Sequence, residues 1–436
     1  MDYRQSLHYI MGLEKFGIRP GLQRMDALLT ALGHPQRRMG HIIHIVGTNG
    51  KGSTASFLNQ ILLAAGKRVG LFTSPHIGEL PDRFHIQGQP PSQQDFAAAV
   101  DRIAQACEQV VRAGVEQPTE FEVQTALAVL LFVQAGTEFA VLEAGLGGGL
   151  DSTHAAHGMD VILTNVGYDH MQYLGNTLEE IASSKVGILS KGGFLLTGAT
   201  GKPLQIIQNE ARAKQASCLA LGQEIDYGFS ADFGREGQSF WLQSPFGTLM
   251  DLRIRLLGRH QLANAALAVT MAQKLGVPEI AIRQGLEETV WPGRLEFLQI
   301  PNAPPILLDG AHNPEGMAAL AAALPLYSDG RRIVALISML GDKAVEQALG
   351  YLFPLLSAVV ICKPPLEARA GDWQHLAQLA QAAGLPALVE ADIGPALELA
   401  LDQCAPTDML LVCGSLYLLA EARGYLLQRT AIGEAK

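Results

Sequence analysis

Charge is scarce in this chain, and positive charge most of all. Only 17% of its 436 residues are Asp, Glu, Lys or Arg, and the 42 acids outnumber the 32 bases for a formal net charge of −10. That balance argues against nucleic acid or an anionic membrane as the main partner, and an anionic substrate would need a local basic pocket. Cysteine is sparse too. Cys107, Cys218, Cys362, Cys404 and Cys413 are scattered with no CxxC spacing, which suits free thiols in a reducing cytoplasm rather than a metal site. Long apolar runs are missing: Ala126 to Val133 is far too short to span a bilayer. The opening Met1-Asp2-Tyr3-Arg4 does not read as a signal peptide. Internal repeats and low-complexity segments are absent as well.

What the chain has is apolar content, 48%, enough for large buried cores. Its length predicts two or three domains. Apolar, β-branched segments alternate with helical patterns. Strands are predicted at Ile42–Val46, Arg68–Phe72, Phe139–Glu143, Val161–Asn165 and Phe194–Thr197, with helices at Phe57–Ala65, Gln94–Ala113 and Val123–Gln134. This is the pattern of a mainly parallel sheet covered on both faces. Ser92 after Pro90-Pro91 is a good N-cap, and 198–203 reads as a surface turn. Segment 218–256 reads as a few antiparallel strands appended to the main sheet. Trp291-Pro292-Gly293 is the best break. Beyond it, strands are predicted at Ile306–Asp309, Ile333–Ser338, Ala358–Cys362, Ala387–Glu390 and Met409–Cys413, with helices near 315–325, 372–383 and 394–402. The expected fold is α/β, with two doubly wound, mainly parallel-sheet domains, the C-terminal one smaller.

One stretch carries chemistry on its face. Gly47-Thr48-Asn49-Gly50-Lys51-Gly52-Ser53 follows a predicted strand and opens a predicted helix. Glycines let backbone N–H groups converge on an anion, and the helix dipole favours negative charge there. Lys51 can reach terminal phosphates and Ser53 can face magnesium. In open parallel sheets ligands bind beyond the carboxyl ends of the strands. Polar residues recur at that edge: Thr73-Ser74-Pro75-His76, Glu143, Asp169-His170 and Asp309-Gly310-Ala311-His312. Each has a plainer reading. Ser74 could shape a turn, Glu143 could be a solvated strand end, and His170 could be an ordinary loop histidine. Lys185, within the helical stretch Leu178–Leu189, looks like a surface lysine on its local pattern.

Together these segments resemble the folylpolyglutamate synthase/dihydrofolate synthase family of the Mur ligase superfamily. The resemblance also runs through Gly17–Leu22, Phe121-Glu122, Leu142–Gly148, Lys185–Ile188 and His260–Ala265. It continues with Trp291-Pro292-Gly293-Arg294-Leu295-Glu296, Asp309–Pro314, Met339–Lys343 and Cys413-Gly414-Ser415. It implies a P-loop ATPase-like N-terminal domain over 1–294 and a Rossmann-like glutamate-ligase domain over 295–436. It implies an ATP-dependent ligase joining L-glutamate to dihydropteroate and to reduced folates through an acyl phosphate. The alternative within the family is polyglutamylation alone. The resemblance assigns Thr48, Asn49, Gly50, Lys51, Gly52 and Ser53 to the phosphates, Asn264 to the adenine, Arg294 to phosphate and Asp309 to the ribose. Ser74, Glu143, His170 and Lys185 would hold two magnesium ions, Lys185 as a carbamate; oxygen ligands suit that hard ion. Lys51, Lys185 and His312 are placed in catalysis. Gly21, Leu22, Thr119, Glu120, Phe121 and Glu122 are placed at the pterin and folate end. It further implies a cytoplasmic monomer with small-molecule partners only.

Two departures stand out. Where the family reads Gly-Gly-Arg-Leu-Asp-Ala-Thr-Asn, this chain has Gly149 for the arginine and His154 for the asparagine. This removes a cation beside Glu143. Two other classes fit less well. A Mur ligase acting on a UDP-linked peptide needs an N-terminal UDP-binding domain, and the roughly 40 residues before the phosphate loop are too few for one. A nucleotide switch of the GTPase kind needs an NKxD-type guanine reader, which the sequence lacks.

Overall fold

The computed structural model describes residues 1–301 and 303–434. In chain order the strands are β1 His41–Val46, β2 Val69–Phe72, β3 Phe84–Ile86, β4 Phe139–Glu143, β5 Asp160–Leu163, β6 Phe194–Thr197, β7 Ser217–Ala220, β8 Asp226–Asp232, β9 Gln238–Ser244 and β10 Gly247–Ile254. The later ones are β11 Glu296–Leu298, β12 Ile306–Asp309, β13 Ile333–Ile337, β14 Ala358–Ile361, β15 Ala387–Val389 and β16 Met409–Cys413. The first sheet runs β3-β2-β4-β1-β5-β6-β7 and is parallel except at β3. Alternation along β1 feeds two cores. Ile43 and Ile45 pack with Phe57, Leu58 and Ile61 of the helix Lys51–Ala64, while Ile42 packs on the helices Gln93–Arg112 and Glu120–Gln134. A strand buried on both faces reads as a continuous apolar run, which is why these strands are legible in the sequence.

Segment 218–256 departs from the expected arrangement. Strand β7 does join the main sheet, parallel to β6. Strands β8, β9 and β10 form a separate antiparallel sheet, and Phe240, Leu242, Leu252 and Ile254 pack into the same core as the helix His260–Lys274. Only 198–200 is turn; Gly201 begins the helix Gly201–Ala213. The helices Tyr3–Met11 and Gln23–Ala31 and the short β3 are additions to the elements read from the sequence.

The second parallel sheet runs β11-β12-β16-β13-β14-β15, with only β11 antiparallel. Trp291 packs against the first unit's core and Leu295 enters the second's, so the chain changes sheets where the Trp-Pro-Gly break falls. Among the described residues no helix is long and apolar enough to cross a membrane.

Candidate active site

Strand β1 lies between β4 and β5, with Ile45 opposite Glu143 and Val46 opposite Leu163. The carboxyl ends of those neighbours therefore flank the loop that follows β1. Gly47 and Gly50 adopt φ of +148° and +79°, which glycine tolerates best. A Cβ at Gly47 would stand 1.9 Å from Thr164 Oγ1, and one at Gly50 2.3 Å from Asn264 Oδ1. Thr164 Oγ1 donates to the Asn49 carbonyl at 2.6 Å, and Asn165 Oδ1 accepts from the Asn49 N–H at 2.9 Å. The loop is thus pinned from β5, and the helix Lys51–Ala64 begins directly behind it. At that helix start the buried hydroxyls of Ser53 and Thr54 have no protein partner.

Two lysines converge on one carbonyl. Lys51 Nζ donates to the Gly47 and Thr48 carbonyls, both at 3.1 Å, and Lys185 Nζ donates to the Gly47 carbonyl at 2.8 Å. Lys185 is 3% exposed, so it is no surface lysine. Burial, reinforced by the charge of Lys51, pulls its amine from 10.5 down to about 7. Glu143 is buried beside them and accepts from the Ser74 N–H at 3.2 Å. Burial raises its carboxyl above the usual range, against the pull of Lys51 and the Ser74 N–H. Burial likewise drives the His170 imidazole down to about 3, so it stays neutral, and its Nδ1 is buried without a partner.

These donors fit magnesium. Hydroxyl and carboxylate oxygens suit it, a neutral imidazole with an orphaned nitrogen is free to ligate, and a near-neutral lysine amine can become a carbamate. Among the described residues no three His, Cys, Asp or Glu side chains gather as a ready-made metal cluster, so such a site depends on Ser74 and on modified Lys185.

The second sheet supplies the facing wall. Asp309 ends β12; its Oδ2 accepts from the Leu295 N–H at 3.0 Å and its Oδ1 from the Ala311 N–H at 2.9 Å. This holds Arg294 and the 310–312 loop at one edge. His312 Nδ1 pairs with the Gly310 carbonyl at 2.8 Å, leaving Nε2 3.6 Å from Asp169 Oδ2. Asp169 also pairs with Lys343, and Asn49 and Asn313 exchange side-chain amide hydrogen bonds at 3.2 and 3.0 Å. Burial opposes the Asp169 charge, but hydrogen bonding to His312 and the charge of Lys343 hold its carboxyl far below the usual range. Asp169, Asn313 and Lys343 thus tie the two sheets together beside the phosphate loop. The sequence reading placed Asp169 at the strand edge and Asn313 and Lys343 in family-like segments but gave none of the three a role, because their contacts join segments far apart in the chain. Asn264 is also held here: its Nδ2 donates to Gln261 Oε1 at 2.9 Å.

Residues 48–53, Ser74, Glu143, Asp169, His170, Asn264, Arg294, Asp309, His312 and Lys343 line one cavity of about 1650 Å³ that also contains the acceptor-end residues, whereas Asn313 and Lys185, which was expected in catalysis, do not line it. Gly21, Thr119, Glu120, Phe121 and Glu122 reach it; Leu22 does not line it, and sits half-buried at the start of the helix Gln23–Ala31. Thr119 and Glu122 cap the helix Glu120–Gln134 reciprocally, and Glu122 is paired with Arg24 at 3.0 Å. Phe121 stacks on Phe72 at 5.7 Å and closes under Gly145. Glu120 accepts from Gln124 Nε2 at 2.7 Å, and burial raises its carboxyl. The departures are locally accommodated. His154 Nδ1 pairs with the Gly149 carbonyl at 2.8 Å, and Gly149 packs on Gly187, where a Cβ would meet the Gly187 Cα at 3.1 Å.

A phosphate loop and an acidic strand end facing a second parallel sheet across one cavity define a two-domain, nucleotide-using transfer enzyme. Residues 45–272 match the Mur ligase middle domain, and residues 293–416 match the Mur ligase, glutamate ligase domain. The dihydrofolate synthase/folylpolyglutamate synthase of Bacillus subtilis is 37% identical over 365 residues, covering 82% of this chain and 84% of that protein. The structure of Mycobacterium tuberculosis folylpolyglutamate synthase complexed with ADP superposes with a TM-score of 0.89 at 30% identity, over 98% of this chain and 99% of that one. E. coli FolC in complex with DHPP and ADP superposes at 0.87 with 28% identity, over 98% of each chain. The chain belongs to the Mur ligase family.

Proposed function

We propose that this protein is an ATP-dependent ligase that joins L-glutamate to dihydropteroate, giving dihydrofolate, and to tetrahydrofolate polyglutamates. The observation that carries this reading is the single cavity in which the phosphate loop, Glu143 and His170 face Arg294, Asp309 and His312. An oxygen of the acceptor carboxylate attacks the γ-phosphorus of ATP, and ADP leaves. The glutamate amine then attacks the acyl carbon, forming the amide bond as phosphate departs with the carboxylate oxygen and the amine loses a proton. The residues 48–53 and Lys51 bind and neutralise the phosphates, a task that needs positioning and charge rather than covalent help. Asn264 serves the adenine, Asp309 the ribose, and Arg294 and His312 the phosphate region from the second sheet. Ser74, Glu143, His170 and carbamylated Lys185 would hold two magnesium ions, whose charge would offset that of the transferring group. Gly21 and Thr119–Glu122 face the pterin end, with Leu22 behind them.

The division of labour follows the chain: 1–294 as the ATP-binding domain and 295–436 as the glutamate-ligase domain. Closure across the Asp169–Lys343 contact would keep water from the acyl phosphate. The protein works as a cytoplasmic monomer with small-molecule partners only. A second reading, polyglutamylation without dihydropteroate turnover, is supported by the 33% identity, over 98% of this chain, to the folylpolyglutamate synthase of Lacticaseibacillus casei. Phosphate release with ATP and L-glutamate separates the two. Release with both dihydropteroate and tetrahydrofolate supports the bifunctional enzyme; release with tetrahydrofolate alone supports the second reading; release with neither overturns both.

A further inference from the structure

We propose that Tyr327, which belongs to the second sheet's unit, is a positioning residue for the nucleotide; this rests on the ligase reading above, in which Asn264 serves the adenine. Tyr327 ends the helix Pro314–Tyr327 and is 2% exposed. It shares the second core with Leu257 and Leu295, whereas Leu256 belongs to the first. The chain therefore meets both cores within one residue step. Directly after that step the Gly258 N–H donates to Tyr327 Oη at 3.1 Å. Gly258 has φ of +89°, and a Cβ there would meet His260 Cε1 at 2.6 Å and Leu295 Cδ1 at 3.0 Å, so the turn is closely seated. Gln238, fully buried, holds it from the first unit by donating to the Leu256 and Gly258 carbonyls at 3.0 and 2.8 Å.

From that turn a run of hydrogen bonds leads to the phosphate loop. The Gly258 carbonyl accepts from the Gln261 N–H at 3.0 Å, and Gln261 Oε1 accepts from Asn264 Nδ2 at 2.9 Å. Asn264 Oδ1 then fills the space a Cβ on Gly50 would take. His260, Gln261 and Asn264 line the cavity, and Tyr327 does not, so it acts through them. The other end of its helix meets the same loop directly. Asn313 caps that end, accepting from the Gly316 N–H at 2.8 Å, and exchanges amide hydrogen bonds with Asn49. The helix has 14 residues and is about 21 Å long, so one element of the second unit braces the nucleotide segments at two separated points. Arg235, at the tip between β8 and β9, holds the far end from outside. It stacks on Phe297 at 4.1 Å and pairs with Asp329, just past Tyr327, at 2.8 Å. Nucleotide affinity therefore depends on where the second unit stands, and the dependence is reciprocal.

Calorimetric ADP binding to the full-length protein tests this in a double-mutant cycle. Tyr327→Phe keeps the ring and removes the acceptor, and should weaken ADP by roughly 3- to 10-fold, the range for one hydrogen bond. The KM for ATP should rise while kcat at saturating ATP holds. In an Asn264→Ala background the same change should cost nothing further, because the effect is carried through Asn264. Arg235→Met removes only a surface contact. It should weaken ADP in the same direction and also lose its effect without Asn264, which keeps the test open should Tyr327→Phe fold poorly. Unchanged ADP affinity in folded Tyr327→Phe, or an equal loss with and without Asn264, overturns the proposal and leaves Tyr327 a packing residue. Failure of the wild type to bind ADP at all overturns the ligase reading beneath it.

Discussion

The two ends of the first sheet bury charge in opposite ways. At the amino-terminal edge Asp160 is buried and saturated: Lys274 Nζ donates to both of its oxygens at 2.6 Å, and His41 Nε2 lies 2.6 Å from Oδ2. At the carboxyl-terminal edge Lys51, Lys185, Arg83 and Glu143 form no ion pair among the described residues. Lys51 and Lys185 rest on backbone carbonyls instead. A saturated pair can only stabilise. Unpaired charges at the opposite edge of the sheet cost stability and are retained where a charged ligand completes them. The Asp169–Lys343 pair sits between these cases, since it lies at the carboxyl edge and joins the two sheets.

Substitutions at the two edges should therefore fail differently. The largest effect is expected for Lys51→Ala, which should lower phosphate release by roughly 10²–10³-fold with the thermal midpoint nearly unchanged. A variant that turned over normally would break the contrast. Lys185→Ala should cost about 10²-fold, with partial recovery on adding a short carboxylate such as acetate, because the anion rather than the lysine is what the site uses. At the other edge Lys274→Met should leave kcat and KM alone but destabilise by about 1–3 kcal/mol, as Asp160 loses two hydrogen bonds. The pH dependence gives its sign. The hydrogen bonds from His41 and Lys274, opposing burial, depress the Asp160 carboxyl below 3.8. The unfolded carboxyl therefore takes up its proton first, so the contribution is full above that pH and is lost as pH falls further. Urea melts between pH 6 and pH 3 should show a shallower acid slope in Lys274→Met than in the wild type. The smallest effect is expected for Gly149→Arg. Its Cβ would crowd the Gly187 Cα at 3.1 Å, costing about 1 kcal/mol in a melt with less than a few-fold change in turnover.

Legibility in the sequence followed the same division. Strands such as β1 and β13 are buried on both faces and announce themselves as apolar runs, and the phosphate loop does so through glycines its backbone requires. The Trp291–Gly293 break is visible because proline and glycine punctuate it. The separate sheet β8–β10 was read as attached to the main one, since strand patterns do not say which sheet a strand joins. Lys185 was assigned through resemblance alone; its burial against Gly47 comes from a contact across 138 residues. Tyr327 escaped for a related reason. Nothing in the sequence around it marks a tyrosine whose hydroxyl meets Gly258, 69 residues away. Thr119 and Glu122, expected at the pterin end, form a capping box whose Thr-x-x-Glu pattern the sequence reading did not use.

The central claim is that the acceptor carboxylate is phosphorylated before glutamate attacks. Dihydropteroate labelled with ¹⁸O in its carboxylate, incubated with ATP and L-glutamate, tests it through the mass of the released phosphate. The account predicts one ¹⁸O atom in each phosphate formed. Product formation with unlabelled phosphate would contradict it.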